Sequence, residues 1–193
     1  MQISCMQLNI RHNNLESGVK MKGLVHIITG NGKGKTTSAI GLAIRSFGVG
    51  KRVLIAQFLK GCESAEIGIL KNLGITVLRM DFVTKFTWQM TPDECVCVKD
   101  GCAKLMSEVL NESKSGRWDL IVVDEAMGAL AMKGVALPTL CHMIDDKPTE
   151  LELVFTGRNA PRELIERADY VSEIHAVKHP LDKGVKAREG IEF

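Results

Sequence analysis

The nine residues Thr29-Gly30-Asn31-Gly32-Lys33-Gly34-Lys35-Thr36-Thr37 constrain this chain more than any other stretch. An apolar run, Gly23 to Ile28, leads into them and reads as a buried strand. Behind them Ala39, Ile40, Ala43, Ile44 and Phe47 recur at helical spacing, and Gly48 is placed to stop the helix. Strand, glycine-rich loop and a helix opening at Gly34-Lys35-Thr36 are the context that a phosphate-binding loop requires. The glycines let successive N–H groups turn inward. The helix start adds unpaired N–H groups and a positive dipole end, and Lys35 brings a mobile full charge. Thr36 offers a hydroxyl to a magnesium ion riding on the phosphates. The residue five before Gly34 is Thr29, where a strict Walker A motif has glycine. Binding of a nucleoside triphosphate is the expectation.

Further along, Arg52 to Phe58 reads as a second strand ending at Leu59-Lys60-Gly61, followed by a short helix from about Glu63 to Leu73. Ile75 to Met80 is a third strand. An irregular stretch, Asp81 to Met90, then carries Phe82, Phe86 and Trp88. Thr91-Pro92-Asp93-Glu94 starts a helix with a Thr cap, Pro at the first helical position and Glu three after the cap. Its buried stripe is Val98, Cys102, Leu105, Met106 and Val109. Trp118 to Glu125 is a fourth strand ending in two carboxylates. A helix around Pro138 to Ile144, a fifth strand from Glu150 to Phe155, a helix opened by Pro161 and a sixth strand or extended segment from Tyr170 to Val177 complete the pattern. Val-, Ile- and Leu-rich strands alternating with helices predict an α/β fold, a mainly parallel sheet of about six strands with helices on both faces. Ligands of such sheets sit at the carboxyl ends of the strands. The glycine loop, Lys60-Gly61, Asp124-Glu125 and Arg158 all fall at such ends.

At 193 residues the length suits one domain, with residues 1–21 as a weakly ordered arm and 22–193 as the domain. A net charge of +2 is too small for wrapping nucleic acid or an acidic membrane. No apolar run approaches a membrane span, and residues 1–22 lack the continuous apolar stretch of a signal peptide. Six unevenly spread cysteines favour a reducing cytosol, hence a cytoplasmic protein.

Asp124-Glu125 closes an apolar strand about ninety residues after the loop, as a Walker B element does. Magnesium takes oxygen ligands, and a carboxylate on a strand beside the loop can reach it directly or through water. Pattern alone leaves open which of the two touches the metal. Arg158, after Thr156-Gly157, is placed to meet phosphate oxygens with its forked donor, or is a surface arginine of a β–α loop. Phe82, Phe86 and Trp88 lie within seven residues of loop in a chain only 5% aromatic. They suit a planar ligand, though loops also pin themselves to a core with aromatics. Cys95 and Cys102 fall on the buried stripe of their helix and Cys97 opposite, so they read as small hydrophobes rather than a metal cluster. His26 reads as a core histidine. Lys178 to Arg188 makes a basic tail, solvated or clasping an acidic group.

Six motifs occur in the order seen in the CobA/BtuR/CobO type of ATP:corrinoid adenosyltransferase. They are Thr29 to Thr37, Gln57-Phe-Leu-Lys-Gly61, Phe86-Thr-Trp88, Val123-Asp-Glu125, Thr156-Gly-Arg158 and Lys178-His179 through Gly190-Ile-Glu-Phe193. From about residue 22 to 193 the chain resembles that family. The resemblance implies a RecA-like P-loop fold and a homodimer. It implies transfer of the 5′-deoxyadenosyl group of ATP to the Co(I) of a corrinoid with release of triphosphate, with a reduced flavoprotein as transient electron donor. Carried over by motif, Gly30, Asn31, Gly32, Lys33, Gly34, Lys35, Thr36 and Thr37 would hold the triphosphate with Arg158. Thr36 and Glu125 would take Mg2+, and Lys35 and Glu125 would serve the reaction. Phe86 and Trp88 would form the apolar face beneath the corrin. The missing first glycine fits a family that resembles one binding ATP reversed. The short arm at residues 1–21 departs from the longer charged helix often found there.

Two other classes compete. A P-loop ATPase coupled to a macromolecular partner would use Asp124-Glu125 to activate water, although the chain has no basic stripe with interleaved aromatics. A small-molecule kinase would need a lid rich in arginines, for which Arg158, Arg162 and Arg167 are a thin candidate.

Overall fold

The computed structural model describes residues 21–60, 64–80 and 90–192. The arm at residues 1–20, and Gly61, Phe82, Phe86, Trp88 and Phe193, lie outside the described residues. Six strands alternate with helices: β1 (Val25–Thr29), α1 (Lys35–Gly48), β2 (Val53–Gln57), α2 (Ala65–Leu73), β3 (Thr76–Arg79) and α3 (Pro92–Lys114). They continue with β4 (Leu120–Asp124), α4 (Ala126–Ala131), α5 (Leu137–Asp145), β5 (Glu152–Thr156), α6 (Arg162–Ile165) and β6 (Tyr170–Glu173). A 3-10 turn, Pro180–Lys183, follows.

All strand pairs are parallel, in the order β3-β2-β4-β5-β1-β6. The α/β architecture expected from the apolar strand runs is therefore the one found. Side chains along a strand alternate between faces, and here both faces are covered, which is why the runs carry almost no polar residues. Val53, Ile55, Leu120, Val122 and Val154 meet Ala39 and Ala43 of α1 and Ile67 and Leu70 of α2 on one face. Leu54, Ala56, Ile121, Val123, Leu153 and Phe155 meet Val98, Cys102 and Leu105 of α3, Leu140 and Met143 of α5 and Leu164 of α6 on the other.

Helix α3 starts as its sequence dictates. Thr91 Oγ1 accepts from Glu94 N at 3.3 Å, and the Glu94 carboxylate accepts from Thr91 N at 2.8 Å. Its stripe from Val98 to Val109 is buried, but Cys95 is only half-buried and Cys97 is exposed. Cys95 sits in the first turn, before the first buried residue of the helix, Val98. In α1, Ile44 is exposed at 44%, because the two alanines let the helix lie close to the sheet along a narrower stripe. His26 lies inside β1 as expected, with Nε2 2.5 Å from Glu152 Oε1 and its ring stacked on Tyr170. No helix among the described residues is long and apolar enough to cross a membrane.

Candidate active site

Chemistry-bearing side chains gather where β1, β2, β4 and β5 end. The loop after β1 turns through Gly30 at φ +101° and Gly34 at φ +119°, both in the left-handed region. A Cβ on Gly30 would lie 2.3 Å from the carbonyl oxygen of Ile174, so the chain leaving β6 can cross the loop only at a glycine. That crossing is tied down twice more. Gly32 N donates to Ile174 O at 2.8 Å, and Asn31 Oδ1 accepts from Ala176 N at 3.0 Å. Thr29, in place of the first Walker glycine, has a fixed job: its buried Oγ1 accepts from Ala160 N at 3.1 Å, joining β1 to the loop after β5.

Gly34 caps α1 without a side-chain acceptor, and no acidic residue lies in the first turn. The first amides of the helix are thus left for an anionic ligand. Lys35 is buried and its Nζ donates to Gly32 O at 2.8 Å. Burial pushes its pKa down, and the charge of Arg158 adds to this, while Glu125 and Asp124 oppose it. A desolvated ammonium held by one carbonyl is short of anionic partners, and a polyphosphate supplies them.

Thr36 Oγ1 donates to Asp124 Oδ1 at 2.9 Å. The Asp124 side chain is 1% exposed and also accepts from Thr156 Oγ1 at 2.6 Å, Lys60 Nζ at 2.9 Å and Gln57 Nε2 at 3.4 Å. Lys60 Nζ reaches Thr36 Oγ1 as well, at 3.0 Å. Glu125 follows at φ +59° and starts α4, its N–H donating to Thr156 Oγ1 at 2.9 Å. Burial and then the neighbouring Asp124 push the Glu125 carboxyl up, against the charges of Lys60, Lys35 and Arg158. The close approach of α4 to β5 depends on Gly157, at φ +142°, where a Cβ would lie 2.7 Å from Met127 Cβ.

The predicted residues therefore separate. Lys35, Thr36, Asp124 and Glu125 come together. Arg158 is exposed, yet near enough for its charge to act on Lys35 and Glu125. Asn31 spends its side-chain oxygen on the chain after β6, and Lys33 is exposed, 3.8 Å from Glu192. The joining of Thr36 to Asp124, the roles of Lys60 and Thr156, and the buried Gln57 were missed. A glutamine closing an apolar strand was the available signal. Among the described residues no three His, Cys, Asp or Glu side chains converge as a metal cluster. The hydroxyl and two carboxylates at Thr36, Asp124 and Glu125 are hard oxygen donors, the kind magnesium takes when phosphates and water fill its remaining positions. A cavity of about 330 Å³ opens beside the loop, lined by Thr29, Asn31, Asn159, Glu173 and His175 among others. One of about 350 Å³ lies at the opposite end of the sheet, around Lys22, Lys147 and Asp169.

The family model for the ATP:corrinoid adenosyltransferases BtuR/CobO/CobP matches residues 21–193. The chain belongs to that family. The corrinoid adenosyltransferase of Escherichia coli K12 is 34% identical over 173 residues, covering 89% of this chain and 86% of that one. The corrinoid adenosyltransferase CobA of Salmonella typhimurium is 34% identical over 178 residues, with the same coverage. Among solved structures, the RadB recombinase overlays with a TM-score of 0.47 at 15% identity, covering 83% of this chain and 78% of that one. In this chain the buried cluster around Lys35 and Asp124 stands where the stretches Thr29 to Thr37 and Val123-Asp-Glu125 meet.

Proposed function

We propose that this adenosyltransferase moves the 5′-deoxyadenosyl group of ATP onto the Co(I) of a corrinoid and releases inorganic triphosphate. The observation that supports this most is the joining, at one end of the sheet, of a desolvated Lys35 to the oxygen cluster Thr36, Asp124 and Glu125. That arrangement suits a group that departs as polyphosphate. Co(I) is itself the nucleophile: its electron pair forms the Co–C bond to C5′, the C5′–O bond breaks, and its electrons leave with the triphosphate. No side chain has to attack or to remove a proton. The protein has to align the two reactants and stabilise charge on the leaving group.

Lys35 and the first amides of α1 bind the triphosphate oxygens, with Gly30 to Thr37 wrapped around them and Arg158 reaching in from the loop after β5. Thr36 and Glu125 hold Mg2+, with Asp124 orienting the Thr36 hydroxyl; the ion supplies further neutralisation of the leaving group. Phe86 and Trp88 form the apolar face under the corrin. By displacing the lower axial ligand of Co(II) they would ease its reduction by a reduced flavoprotein. Residues 22–193 act as one domain, as a homodimer in the cytoplasm, with residues 1–21 as an arm.

The test is incubation with ATP, Mg2+ and chemically reduced cobalamin. A light-sensitive alkyl–cobalt spectrum is expected. ADP and orthophosphate with no alkyl–cobalt band would favour the ATPase reading instead. For the aromatic pair, Trp88→Ala should lose activity with flavin-reduced Co(II) substrate while still using preformed cob(I)alamin.

A further inference from the structure

Lys60, like Gln57 and Thr156, has no part in the scheme above, but of these three it alone carries a charge. Its ammonium touches Thr36 Oγ1 at 3.0 Å and Asp124 Oδ2 at 2.9 Å, and its charge also acts on Glu125. These are the two groups assigned to the cation, Thr36 and Glu125, and the carboxylate that orients the Thr36 hydroxyl beside it. The Thr36 hydroxyl gives its hydrogen to Asp124 Oδ1, so the electron pair accepting from Lys60 is of the kind that a metal ion needs. An ammonium and a divalent cation on the same oxygen would also repel each other in a half-buried site.

The main chain is anchored while the side chain is long and partly exposed. Arg79 Nη2 donates to Lys60 O at 2.9 Å, fixing the main chain at the end of β2. The Lys60 side chain is 27% exposed on a flexible four-carbon stem, whereas Lys35 is buried and bonded to its own loop. An Asp124 carboxylate left alone at this depth would be costly without a compensating charge.

We propose that Lys60 is a built-in placeholder for the divalent cation: it neutralises Asp124 and occupies Thr36 in the metal-free protein, and is displaced when the cation binds. This rests on reading Thr36, Asp124 and Glu125 as the cation site. It makes metal binding a competition inside the protein, so the empty site is kept charge-balanced and binds bare metal weakly.

Mn2+ serves as the probe, its free concentration read by electron paramagnetic resonance in the full-length protein without nucleotide. Lys60→Met should bind Mn2+ more tightly than wild type by about tenfold or more, since the competitor is gone. Equal or weaker binding overturns the proposal. A second measurement needs no variant. Acetylation of the Lys60 amine by acetic anhydride, followed by mass spectrometry, should rise when Mn2+ is added to wild type, and unchanged labelling overturns the proposal even if Lys60→Met does not fold. Asp124→Asn separates the two levels. If it leaves Mn2+ affinity unchanged, the cation-site reading itself falls and takes the placeholder with it. If it weakens Mn2+ binding while Lys60→Met matches wild type, the placeholder alone is wrong.

Discussion

Asp119 precedes β4 and Asp124 ends it, and each faces a cation from the β2 side of the sheet, yet their surroundings differ. Asp119 pairs with Arg52 through two side-chain bonds of 2.7 and 3.0 Å and accepts Arg52 N at 2.8 Å. Its carboxylate is 35% exposed and the guanidinium 55%, so water screens the pair. Asp124 is sealed among two hydroxyls, an amide and Lys60. The first pair is a stitch at the amino ends of β2 and β4. The second is buried at the carboxyl ends, where removing one partner leaves the others stranded and where a ligand can meet the charges.

The largest expected effect is at Asp124. Asp124→Ala takes the counter-charge from Lys60 and frees the hydroxyls of Thr36 and Thr156. It should cost about 3 kcal/mol or more in chemical denaturation, and lower kcat/KM by roughly a thousandfold.

Lys35→Met should sharpen the contrast, because it trades stability against activity. Alkyl–cobalt formation should fall by about a hundredfold or more, with stability at pH 7 unchanged or higher. Since the folded pKa of Lys35 is lowered, the unfolded chain binds more protons between that value and 10.5. Wild-type stability therefore gains a contribution as pH rises through that window, and Lys35→Met should lose it. Equilibrium denaturation across alkaline pH reads the difference.

Thr156→Val is next. It leaves the Glu125 N–H without its partner and takes one of two hydroxyl bonds from Asp124 Oδ1 inside a buried site, at about 1–3 kcal/mol. Activity should fall by less than in Asp124→Ala. The smallest effect belongs to the other end of β4. Arg52→Ala should shift the melting temperature slightly, less still in high salt, and leave turnover unchanged. The Arg52 hydrogen bond holds the Asp119 carboxyl below its usual range. Its contribution is therefore present above pH 3.8 and lost as pH falls through the lower folded value. A loss of turnover in Arg52→Ala comparable to that in Thr156→Val would break the comparison.

The features legible in the sequence are those with local causes. The loop and α1 follow from glycine spacing and apolar periodicity, and Thr91-Pro92-Asp93-Glu94 carries its own cap. The fourth strand read as running to Glu125, whereas the chain turns left-handed at Glu125 and begins α4. Ala126 to Ala131 is too short and too uniformly small or apolar to announce a helix beside an apolar strand. The sixth strand read as reaching Val177 but stops at Glu173, because the chain leaves the sheet at Ile174 to cross the phosphate loop. Bonds from Thr36, Lys60 and Thr156 to Asp124 depend on β4 lying between β2 and β5, an order that no local pattern encodes. For that reason the gathering of the motifs at one end of the sheet was legible while the bonds among them were not.

The most direct measurement is phosphorus NMR of a single turnover with ATP, Mg2+ and Co(I) cobalamin. One intact triphosphate per alkyl–cobalt formed is the result expected of a site that grips polyphosphate as a leaving group. ADP and orthophosphate in its place would contradict the account.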